Sequence, residues 1–139
     1  MDFVALLSRW THILSMTFLV GGPLYAYLVL ATPLGGMAAA ERRKWEDAAA
    51  ARIRSIGLIF ITLAIASGLY NLLNKVNLPK GYHMWFGIKM LFVLHIIAVT
   101  VLLGRAGVES AKRARWSAGL AVSGAIVLLL SAYLRAMQL

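Results

Sequence analysis

Three histidines and one lysine occupy or border long apolar stretches, whereas most other charged residues collect in short connections: His12, His83, His95 and Lys89. A neutral imidazole binds heme iron or copper readily, and helical bundles commonly hold such cofactors between facing helices. By residue type His12 and His95 are the candidate metal ligands. The alternative for each is a hydrogen-bonded contact between helices. Arg9, three residues before His12, and Lys89 are cations suited to holding a cofactor's carboxylates. The chain has no cysteine, which excludes disulfides, thiolate metal sites and a cysteine nucleophile. Any metal here needs His, Met or oxygen ligands.

The elements that must position these residues follow from composition. Of 139 residues, 61% are hydrophobic and 14% charged, the balance of a membrane protein rather than a soluble domain. Four apolar runs, about 4–30, 56–73, 85–103 and 118–134, each approach the roughly 20 residues a helix needs to cross hydrocarbon. A helix satisfies its own backbone there, so all four are expected to be helical. The first run opens with Asp2 and is longer than a typical signal core, so it reads as a retained helix. The expected fold is an all-α integral membrane four-helix antiparallel bundle, residues 1–139 forming a single transmembrane domain.

The formal charge of +9 lies in connections rather than along one solvated face, which argues against nucleic acid as a partner. Arg42, Arg43, Lys44, Arg52 and Arg54 fall between the first two runs, and Arg105, Lys112, Arg113 and Arg115 between the last two. Arg9, Lys75, Lys80, Lys89 and Arg135 fall on the other side. The positive-inside rule then puts both termini on the outer, periplasmic side of a bacterial-type inner membrane. Thr32 to Gly36 reads as a helix stop, and the charged, alanine-rich stretch after it as an extension of the second helix. The turn-formers between Asn74 and Gly81 tie helices two and three together.

Face by face, the polar residues separate. His12 shares a helix face with Ser8, Arg9, Ser15 and Met16 and, deeper, with Leu19, Gly22 and Pro23, a polar and small face expected to point inward. Ser67, Asn71 and Asn74 share a face on helix two, joined by Tyr70. His95 lies about 15 Å below Trp85, near the midplane. His83, Lys89 and His95 are spaced by six residues, which spreads them about 120° apart around the helix, so they cannot all face one pocket. The expected centre of the outer polar cluster is His12, Tyr70, Asn71, Lys89 and Tyr133. His12 with His83 matches better in depth as an axial pair than His12 with His95. Small residues four apart, Ala64 with Gly68 and Gly119 with Ser123, favour close helix approach, read first as ordinary packing.

Trp10-Thr11-His12 followed by Gly21-Gly22, together with Gly81-Tyr82-His83-Met84-Trp85-Phe86-Gly87-Ile88-Lys89 ahead of an apolar run, resembles the membrane superfamily of the copper resistance protein D domain and the HemJ-type protoporphyrinogen oxidase. The likeness covers about half the chain. It departs from the family at Leu19, where a tryptophan is usual, and at Gly87, where the oxidase carries a histidine. The resemblance implies a four-helix membrane bundle binding heme b through His12, with Lys89 beside the site.

Three functions are therefore in view. The first is a small cytochrome b-like electron-transfer subunit, working with other membrane subunits of a redox complex and with a quinone or partner protein. On its own such a subunit is not expected to be an enzyme. The second is a porphyrinogen oxidase, with Lys89 or Arg9 holding substrate carboxylates. The third is a structural or copper-handling subunit. Met16, Met84 and Met90 do not form the paired ladder that a soft Cu(I) site prefers.

Overall fold

The structure, a computed structural model, describes residues 2–75 and 77–138; positions 1, 76 and 139 of the expected 1–139 domain lie outside it. Among the described residues four helices are long and apolar enough to cross a membrane: α1 (Phe3–Gly35), α2 (Ala39–Leu73), α3 (Tyr82–Leu103) and α4 (Ser110–Ala136). The chain is thus an all-helical, multi-pass membrane protein. No strand occurs among the described residues.

Each helix is longer than its hydropathy run at one end or both, most of all α2. Its first turns, rich in Ala, Arg, Lys and Glu, are built from strong helix formers that hydropathy overlooks. At the start of α1, the Asp2 carboxylate accepts a hydrogen bond from the Val4 N–H at 3.0 Å, satisfying one of the first turn's orphan donors. Inside α1, Pro23 has no N–H to return to the Leu19 carbonyl. One turn later the helix widens into a π-helical segment, Ala26–Leu30, before resuming as α-helix to Gly35. The connection into α3 turns on Gly81, whose φ of +83° is left-handed backbone that glycine adopts without a Cβ clash.

The helices pack in a ring. α1 lies most extensively against α2, and α3 against α4, with α1–α4 and α2–α3 contacts closing the circuit. Ile96, Val99 and Leu103 of α3 interlock with Leu120 and Val127 of α4, while Leu19 meets Ile61 and Ala64 between α1 and α2. Met16 touches both clusters. Many large apolar side chains point away from the bundle, among them Ile13, Leu28, Leu91 and Leu129, as lipid-facing residues do.

At the end holding the 36–38 and 104–109 connections, called lower here, charged residues form a latch. Arg113 donates to the carbonyls of Leu103, Arg105 and Val108 and to Asp47, the last at 2.9 Å. Asp47 also accepts from the Gly107 N–H at 3.0 Å. One guanidinium so caps the last turn of α3 and ties it to α2, using orphan carbonyls that a helix terminus leaves open.

Candidate functional site

In the upper half, toward the chain termini, a cavity of about 380 Å³ opens between α1, α2 and α3, within the size range of small-molecule sites. Its wall is mainly aliphatic. The polar or titratable residues reaching it are His12, Asn71, Lys75, Tyr82 and Lys89.

His12 is fixed by α2. Its Nδ1 lies 3.0 Å from the Ala64 carbonyl oxygen and 3.2 Å from the Ser67 hydroxyl. A carbonyl oxygen has no proton to give, so Nδ1 is the donor, and the neutral ring carries its lone pair on Nε2. The Ser67 hydroxyl donates in turn to the Leu63 carbonyl, which leaves its own oxygen free to share the Nδ1 proton. Nε2 makes no hydrogen bond among the described residues and is not sealed inside protein. A backbone carbonyl holding one ring nitrogen while the other is left without a hydrogen bond is an arrangement found around metal-ligating histidines.

Close approach of α1 and α2 makes this seat. A Cβ built on Gly68 would lie 3.0 Å from His12 Cε1 and 3.3 Å from Nδ1, so a side chain there would press on the ring. The Ala64 and Gly68 pair is therefore more than ordinary packing: it is the floor under His12.

Opposite, Lys89 enters the cavity from α3 and forms no ion pair or hydrogen bond among the described residues. Lys75 joins it. Its Nζ donates to the Tyr82 hydroxyl at 2.8 Å and lies 5.0 Å from the centre of that ring. No Asp or Glu lines the cavity. Two ammonium groups beside an apolar chamber with no counter-charge favour a ligand that brings carboxylates of its own.

The remaining sequence candidates fall elsewhere. Arg9 and His83 are exposed and outside the cavity wall; His83 stands edge-on to Tyr82 at 6.2 Å. His95 turns toward α4, where its Nδ1 is 2.9 Å from the Ser123 hydroxyl, and it too is outside the cavity. Neither His83 nor His95 is brought to His12 as an axial partner. Tyr70 and Tyr133 do not line the cavity, and Tyr133 packs instead on Trp85, with ring centroids 5.3 Å apart. Asn74 closes α2 by donating to the Tyr70 carbonyl at 2.8 Å. Lys75 and Tyr82 were not among the expected residues, although Ser67, Asn71 and Lys75 follow at intervals of four and continue one polar stripe toward the loop.

Among the described residues no three His, Cys, Asp or Glu side chains converge as a metal site. A tetrapyrrole suits this donor set, because it supplies four nitrogens itself and asks one or two ligands of the protein. Comparison with family models, curated proteins and solved structures finds no match to this chain.

Proposed function

We propose that this chain is a small integral membrane heme b-binding protein, an electron-transfer subunit of a larger membrane redox complex. One observation carries the reading: His12 is held in a single tautomer by the Ala64 carbonyl, with Nε2 directed away from that bond, beside a chamber carrying two uncompensated lysines. In this reading His12 would hold the iron through Nε2, and Lys89 and Lys75 would hold the carboxylates of the group. The group would supply the one-electron chemistry. The chain's own part is to fix the ring, to exclude water with the aliphatic wall and to place positive charge beside the carboxylates. The helices run antiparallel in a bacterial inner membrane with both termini outside, an orientation supported by nine cations in the two lower connections against five elsewhere.

The same lysine pair would serve the carboxylates of a porphyrinogen equally well, and this observation keeps an oxidase of that substrate class as the second reading. Copper handling draws less support from a cavity with one histidine and no carboxylate.

The test is an optical spectrum of the full chain purified in mild detergent, oxidised and then reduced with dithionite. A reduced b-type spectrum that is lost in His12→Ala and kept in His95→Ala is the expected result. A colourless wild type, isolated with its membrane partners, overturns the reading. Rescue of a strain lacking protoporphyrinogen oxidase would move the assignment to the second reading.

A further inference from the structure

A second cavity, of about 350 Å³, occupies the lower half of the bundle. Among the described residues Leu19 is the one common to the linings of both chambers. The lower chamber is lined by four aromatic residues, Phe18, Tyr25, Tyr27 and Trp45, where the upper one has two, Tyr82 and Phe86; such rings are flat partners for another ring. The lower mouth is charge-balanced: Arg42 pairs with Glu46 at 3.1 Å and Arg113 with Asp47 at 2.9 Å. An anionic headgroup would have to compete with those carboxylates, whereas a neutral polar group need not.

The mouth also offers both senses of hydrogen bond. Arg42 uses Nε on Glu46 and Ser110, while its two terminal nitrogens make no hydrogen bond among the described residues and remain donors. Each oxygen of Glu46 holds one partner, Arg42 on one and the Ser110 hydroxyl on the other, and a carboxylate oxygen has a second lone pair to accept with. A ring oxygen that is a carbonyl in one oxidation state and a hydroxyl in the other finds a donor for the first and an acceptor for the second.

We infer that the lower cavity is a binding site for a membrane quinone and its quinol, the ring lying among the aromatic residues and its oxygen against Arg42 and Glu46. The inference goes beyond the heme reading and stands on the lower cavity alone.

The experiment is fluorescence quenching of the full chain in nanodiscs of zwitterionic lipid, titrated with a decyl-substituted benzoquinone. Quenching that saturates in the wild type is expected. Arg42→Gln should weaken it about tenfold, the effect of losing a hydrogen bond to a charged group. Ala49→Phe, which fills the cavity, should abolish it, and Arg43→Gln at an exposed neighbouring position should leave it unchanged. Linear, unsaturated quenching in the wild type overturns the inference, since it reports only quinone dissolved in lipid. Saturation that is equal in wild type, Arg42→Gln and Ala49→Phe overturns it as well. So does a phospholipid retained on native mass spectrometry in an Arg42-dependent way without saturable quenching, which would make the cavity a lipid site. Since none of these readouts uses heme, failure here leaves the upper-cavity reading standing.

Discussion

His12 and His95 are seated by the same device and end in different surroundings. Each ring rests on a pair of small residues four apart on the neighbouring helix, Ala64 with Gly68 in one case and Gly119 with Ser123 in the other, and each Nδ1 meets a serine hydroxyl. At His12 a backbone carbonyl is added, which can only accept and so decides which nitrogen carries the proton. At His95 the serine is the sole partner among the described residues, and a hydroxyl can give or accept, so either tautomer is satisfied. His12 borders a chamber with two cations, whereas His95 is exposed on the outside of the bundle. Residue type and depth alone do not distinguish the two histidines. What distinguishes them is the group that holds Nδ1 and the space left beside the ring.

The comparison breaks most readily at the glycines. Gly68→Leu drives a side chain into the His12 ring, and we expect loss of most tetrapyrrole binding with destabilisation of about 1–3 kcal/mol in detergent melts, the usual effect of overpacking. Gly119→Ala should stay within about 1 kcal/mol, because a Cβ there meets His95 Cε1 at an ordinary 3.8 Å and alanine favours the helix. Equal losses in both variants would mean that the two seats do the same job.

The next effect is electrostatic. Lys89→Gln should weaken cofactor retention about tenfold, measured as heme lost to a competing apoprotein, as expected for removal of a charge-assisted bond. Arg9→Gln, outside the cavity wall, should leave retention unchanged, and the reverse ranking would relocate the carboxylate site to the surface. The smallest effects belong to the serines. Ser67→Ala leaves His12 its carbonyl, and Ser123→Ala leaves His95 without a partner, so each should cost about 0.6 kcal/mol in stability, typical of hydrogen bonds between membrane helices. Only Ser67→Ala should move the reduced spectrum; a shift from Ser123→Ala instead would invert the assignment of the two histidines.

The four helices were legible as apolar runs, and the helix stop near Gly36 as Thr-Pro-Leu-Gly-Gly. The extension of α2 was legible in its charged, alanine-rich stretch; the early start of α4 at Ser110 was not, because hydropathy marks the span in hydrocarbon while Ala, Arg and Lys propagate a helix beyond it. The divergence of His83, Lys89 and His95 was legible from helical geometry alone. The small-residue pairs were visible as spacing but not as seats for histidines, since spacing on one helix does not say which side chain of another will rest on it. Lys75 meeting Tyr82 depends on how the intervening loop folds through Gly81, and no pattern along the chain encodes that distance.

The π-helical turn at Ala26–Leu30 bears on how α1 tolerates changes in length. Such a turn closes its hydrogen bonds one residue later than an α-turn, so it holds a surplus residue within almost the same rise. Deleting one residue there should let the segment relax to α-helix, keeping His12 and Leu19 in phase with Leu30 and Leu34. Deleting one between His12 and Leu19 has no such reserve. It would rotate the upper part of the helix by about 100° against the lower, turning the histidine toward lipid. Evolution of this helix by insertion and deletion is therefore expected to be confined to the stretch below the proline.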